Sequence, residues 1–119
     1  FCLTPTGIRA GYPSPHLLGH LRPAQRQRVR GRVILLLTSS SYYQLHGARA
    51  GATLTAARRV LKLSGPFHVG LNYWYLAPYG AGRAVLKVRH GVVQEIGVTY
   101  RWLTASVKQD FTFLRSFHR

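Results

Sequence analysis

The chain has 119 residues, 46% of them apolar and 16% charged, with 17 Lys and Arg against 2 Asp and Glu for a formal charge of +15. That length supports one hydrophobic core, and that apolar content excludes a disordered polyelectrolyte. The longest apolar runs, such as residues 33–37, fall far short of the roughly 20 residues that cross a bilayer as a helix, so no transmembrane segment is expected.

A field of this sign draws polyanions such as nucleic acid, acidic lipid surfaces or anionic cell-wall polymer. Because 14 of the 17 cations are Arg, with Lys only at Lys62, Lys87 and Lys108, GC-rich coding is the competing explanation. The chain opens at Phe1, holds no Met, and reads as a segment of a longer protein. Its one cysteine, Cys2, leaves open a disulfide to an upstream cysteine, a free thiol and an inert remnant.

Residues 1–13 form a lead-in broken by Pro5, Gly7, Gly11 and Pro13, in which Ile8, Arg9 and Ala10 can pair as a short strand. Ser14 caps a short helix with Pro15 at its first position and Leu17, Leu18 and Leu21 on one side; Pro23 opens a second. Residues 33–37 are continuously apolar between Gly31 and a Thr-Ser-Ser-Ser run, the pattern of a strand buried on both faces. Tyr42, Tyr43, Gln44 and Leu45 continue or return that strand, and residues 47–51 read as a loop.

Thr53 then caps an amphipathic helix with Leu54, Ala57, Val60 and Leu61 at spacings of three and four, stopped by Gly65-Pro66. Strand-like runs follow at 67–69, 73–76, 84–88 and 92–98. A three-residue loop, Arg89-His90-Gly91, is expected to set Val88 against Val92 and Leu86 against Gln94, leaving Lys87 and Glu95 on a wetter face. A final helix is expected over residues 103–118, capped at Thr104, with Val107, Phe111, Leu114 and His118 as its stripe and Phe113 and Phe117 widening it.

The fold class expected is therefore α+β, with helices packed on one face of an antiparallel sheet. The chain divides into a lead-in (1–13), a first helical and strand unit (14–47), a helix plus three-stranded meander (48–99) and a C-terminal helix (103–118). Arg9-Ala10-Gly11 and Arg49-Ala50-Gly51 echo each other, so the pattern also allows two weak helix-plus-sheet units.

Residues 49–99 resemble the small α+β repeat of the outer-membrane assembly lipoprotein BamE, its SmpA/OmlA relatives and the beta-lactamase inhibitor protein. The residues that carry the likeness are Gly51-Ala52-Thr53, Ala57 and Leu61, Gly65-Pro66, Asn72-Tyr73-Trp74-Tyr75, Val85-Leu86-Lys87-Val88 and Val92-Val93-Gln94-Glu95-Ile96. Gly65-Pro66 falls a few residues later, and Ala52 stands where the family carries Met. The whole chain is similar to uncharacterised C-terminal segments of exported proteins from high-GC bacteria, above all in residues 67–72 and 88–97. These resemblances imply a secreted or cell-surface setting and no known activity.

Glu95 and Asp110 are the complete supply of side-chain carboxylates, too few for a carboxylate-rich metal site and poorly matched to paired acid and base work. Among the six His, only His16 and His20 have the spacing of two ligands on one helical face, and no third ligand accompanies them. Gly80-Ala81-Gly82-Arg83 lacks the Lys-Ser/Thr of a phosphate loop. No enzyme activity, cofactor or metal is therefore expected.

The leading reading is a non-catalytic interaction or scaffold domain that holds a protein partner through the aromatic strand Tyr73, Trp74 and Tyr75. The alternative is a module for polyanions, either nucleic acid or anionic cell-wall polymer, with Arg22, Arg26, Arg28, Arg30 and Arg32 as the contact strip. A further alternative is an accessory domain of a secreted hydrolase. The sequence carries no signal for an oligomeric state.

Overall fold

The computed structural model describes the backbone of residues 2–3 and all of residues 7–117. Seven strands form one antiparallel sheet in the order β1-β2-β3-β7-β6-β5-β4. They are β1 (Cys2–Leu3), β2 (Ile8–Gly11), β3 (Leu35–Thr38), β4 (Ser64–Val69), β5 (Asn72–Tyr79), β6 (Gly82–Arg89) and β7 (Val92–Tyr100). The helices are α1 (Pro15–Gly19), α2 (Pro23–Val29), α3 (Leu54–Val60) and α4 (Val107–Arg115), with a 3-10 turn at Arg101–Thr104. The α+β expectation is met.

Both faces of the sheet are covered, and alternation along the strands shows how. Trp74, Leu76 and Val85 join Leu35, Leu37, Leu17 of α1, Val29 of α2 and Phe113 and Leu114 of α4 in one core. Tyr75, Ala77, Ala84, Leu86 and Val88 join Ala57 of α3, Leu61 just after it, Ala48, Val93 and Ile96 in a second. Successive side chains of a strand point to opposite faces, so α1, α2 and α4 share one face and α3 lies on the other. The sheet is continuous, and the repeated tripeptide has no structural counterpart: Arg9, Ala10 and Gly11 pair within β2, whereas Arg49, Ala50 and Gly51 precede α3 in a loop.

Helix starts follow the local chemistry of the sequence. Leu17 N–H donates to Ser14 Oγ, Ala56 N–H to Thr53 Oγ1 and Gln109 N–H to Ser106 Oγ, each satisfying a donor that a helix start leaves unpaired. The last of these corrects the expected C-terminal helix. Thr104 belongs to the 3-10 turn, Ser106 is the cap, and the buried stripe is Asp110, Phe113, Leu114 and Phe117 at positions i, i+3, i+4 and i+7. Val107 is exposed, and His118 lies outside the described residues. Likewise α3 ends at Val60, before Gly65-Pro66, which sit inside β4. The expected three-stranded meander contains four strands, β4 to β7.

The β6–β7 hairpin differs from the expected register in an instructive way. Arg89 pairs with Val92 across a two-residue turn, His90-Gly91, in which both residues have positive φ (54° and 73°), the signature of a type I′ turn. A two-residue turn without correction would put Leu86 and Glu95 on one face. The chain avoids this with a register shift after Val88↔Val93, so that Lys87 faces Glu95 and Leu86 faces Ile96. Lys87 and Glu95 share a face as expected, but by a bulge rather than by a longer loop.

The neighbours of β7 are fixed by one glycine. Leu37 of β3 lies opposite Gly97, and a Cβ added at Gly97 would sit inside the van der Waals shell of the Leu36 carbonyl oxygen and 2.7 Å from Leu37 Cδ2. Only hydrogen fits there, so Gly97→Ala is expected to lower stability by about 3 kcal/mol through forced strand separation. Gly19→Ala, where the added carbon meets open space, should leave stability unchanged or raise it by up to about 1 kcal/mol. Urea denaturation of the two variants checks this, and equal midpoints would contradict the close approach.

Candidate functional site

The aromatic strand is placed differently from the expected contact surface. Trp74 is 3% exposed and Tyr75 5% exposed, one in each core, because β5 is an inner strand covered on both sides. Neither ring can meet a ligand. Tyr73 alone is open to solvent, and its ring stacks on His68 at 4.4 Å with an interplanar angle of 8°.

The five arginines do not form one strip either. Arg22 precedes α2 and its N–H donates to Gln25 Oε1, which closes half of a capping box. Val29 points into the core. Arg26 is half-buried, and its Nε is buried without a hydrogen-bond partner among the described residues. Arg22 and Arg30 are exposed but lie outside the groove that Arg28 and Arg32 line.

That groove, of about 530 Å³, runs between α2 and the 3-10 turn and is lined by Ala24, Gln27, Arg28, Val29, Arg32, Tyr100 and Trp102. The Arg28 guanidinium sits 5.0 Å from the centroid of the Trp102 ring, and the Tyr100 and Trp102 centroids are 6.3 Å apart. A guanidinium over an indole face is attracted by the ring quadrupole and is held in place while its N–H edge stays free for an anion. Tyr100 is 46% exposed, so its ring is available to a ligand.

Trp102 and Tyr100 were not legible as site residues from the sequence. The available signal was position: both fall where β7 ends and the chain leaves the doubly covered sheet, so an aromatic there is not forced inside. Trp74 and Tyr75 sit within β5 under both layers, where it is.

Electrostatics separate the groove from the two carboxylates of the chain. Glu95 is buried and accepts from Arg9 Nη2 at 2.6 Å, Arg9 Nε at 3.0 Å and Lys87 Nζ at 3.3 Å, so it serves to tie β2, β6 and β7 together. Asp110 is buried on the inner side of α4, and among the described residues no acid pairs with Arg28 or Arg32. The cations at the groove therefore keep their attraction for an external anion.

His20 Nδ1 lies 2.9 Å from the His16 carbonyl oxygen, which engages that nitrogen locally. Among the described residues no group of three His, Cys, Asp or Glu could hold a metal ion, and Cys2 has no described side chain. Among the described residues no helix is long and apolar enough to cross a membrane.

Burial pushes the Asp110 carboxyl up to about 6, and the positive charge of Arg83 offsets part of that rise. The folded state thus binds this proton more tightly than the unfolded state. The associated stability is fully present below pH 3.8, the ordinary value, and is lost as pH rises through about 6. The loss across that window is about 3 kcal/mol. Asp110→Asn should remove it, giving a more stable domain at neutral pH and a flat urea midpoint between about pH 4 and 6, where the unsubstituted chain declines.

No protein-family model matches the chain, nor does any curated protein or solved structure, so the BamE-like expectation has nothing beyond its own motif residues to support it.

Proposed function

We propose that the domain is a non-catalytic binding module for an anionic polymer, nucleic acid or cell-wall polymer, within a secreted or cell-surface protein. The observation that carries the reading is the Arg28 guanidinium held 5.0 Å from Trp102, with Arg32 and Tyr100 lining the same groove. Arginine supplies a planar donor fork suited to phosphate or carboxylate, and aromatic rings supply stacking surface. The formal charge of +15 adds long-range attraction that brings such a partner to the groove.

The protein-partner reading loses two of its three contact residues with the burial of Trp74 and Tyr75, and keeps Tyr73. The secreted or surface setting comes from the resemblance of the sequence and from no feature of the groove. A module that binds a polymer needs no acid, base or nucleophile, in keeping with a Glu95 committed to Arg9 and Lys87 and an Asp110 buried under α4.

The test compares two charge reversals of equal size. Arg28→Glu with Arg32→Glu alters the groove, while Arg59→Glu with Lys62→Glu makes the same change on exposed positions at and just beyond the end of α3. Binding to a labelled oligothymidylate and to polyphosphate is followed by anisotropy between about 50 and 200 mM salt. The groove pair should weaken binding at least about tenfold and flatten the slope of log affinity against log salt by about 1.4, two phosphates' worth. Equal weakening by both pairs, or a flat salt response in the unsubstituted chain, would overturn the assignment.

A further inference from the structure

A second groove, apolar and on the sheet itself, adjoins the basic one. It measures about 650 Å³ and is lined by Val33, Leu36, Tyr79, Ala81, Val98 and Tyr100, among others. Leu36 pairs with Val98 across β3 and β7, and Tyr100, Gly82 and Tyr79 pair in turn across β7, β6 and β5, all lining this groove on the α3 side of the sheet. The loop that precedes α3 covers part of that side. His46 of this loop packs on Tyr79 at 4.7 Å between ring centroids, and Leu36 beyond it is 39% exposed.

The two grooves meet at two points. Tyr100 lines both, and the consecutive residues Arg32 and Val33 line one each. An apolar trough thus opens at its end onto two arginines that have no carboxylate partner among the described residues. A ligand filling both would need an apolar body joined to an anionic end.

We propose that the joined grooves bind a single-chain anionic amphiphile, its alkyl chain lying across β3, β7, β6 and β5 and its carboxylate or phosphate on Arg28 and Arg32. The charged end rests on the anion-binding reading above, and the apolar end is independent of it. From Leu36 on β3 to Tyr79 on β5 the groove spans three strand spacings, roughly 14 Å, which suits an alkyl chain of about ten carbons. Covering it removes Leu36, Val98 and the Tyr100 ring from water, the normal driving force for apolar burial. An exposed apolar area beside a polar rim is the ordinary mark of such a site.

The test is calorimetric titration of the 119-residue chain with alkyl carboxylates of increasing length, each below its micelle concentration, with decanol as the uncharged comparison. Affinity should rise roughly fourfold per added carbon until the trough is filled. Leu36→Gln, at an exposed position, should flatten that length dependence, and Arg28→Glu with Arg32→Glu should lower decanoate affinity at least about tenfold with decanol unaffected. Decanol binding as tightly as decanoate, or a length dependence untouched by Leu36→Gln, would overturn the proposal. Salt-dependent polyphosphate binding without decanoate binding would sink the amphiphile and leave the anion site standing. Absence of both would sink the two readings together.

Discussion

The close approach of β3 to β7 at Gly97 is the constraint on which the remaining architecture depends. It lets β3, which comes early in the chain, sit beside the last strand, so one sheet joins the N-terminal unit to the β4–β7 meander. The loop before α3 extends the same contact, since Gly51 N–H donates to Val93 O and Val93 N–H to Ala52 O, both at 2.8 Å. With β7 held from two sides, its C-terminal end has a fixed direction. That direction places Tyr100 at the sheet margin and Trp102 against α2.

Much of this was legible wherever a local rule was decisive. Helix caps at Ser14 and Thr53 follow from a hydroxyl at the residue that precedes the first turn, and the apolar run at 33–37 gave an inner strand, β3, although Leu36 on its α3 side is left 39% exposed rather than buried. Register was less legible. A type I′ turn at His90-Gly91 and a bulge two residues later cancel each other's phase, and the sequence pattern on either side looks the same as that of a longer loop without a bulge. Gly97 was equally silent, since a glycine within a strand does not state what approaches it.

The site was less legible than the fold for a reason rooted in layer count. A sheet covered on one face exposes every second residue, and aromatic side chains on such a strand are natural contact groups. With α3 and its loop on the second face, Trp74 and Tyr75 are both interior. The arginines illustrate the converse: alternation of Arg28, Arg30 and Arg32 suggests one stripe, but the chain leaves α2 at Val29 and turns. Helical spacing then joins Arg28 to Trp102, while Arg26, three residues before the buried Val29, is drawn inward.

Two carboxylates among so many cations make their placement decisive for where positive charge is left available. Glu95 is spent on joining three strands through Arg9 and Lys87, and Asp110, the first residue of the inward stripe of α4, feels the charge of Arg83, whose Nη2 donates to Thr104 O at 2.7 Å. Arg83 thereby braces the 3-10 turn that carries Trp102. Glu95 with its two cations thus ties the frame together, while Asp110 is buried in it at a cost near neutral pH, and neither lines the groove. Net charge alone says only that an anion is attracted; what distinguishes the α2 groove is that Arg28 and Arg32 line it together with Trp102 and the exposed Tyr100, so that positive charge and aromatic surface coincide there.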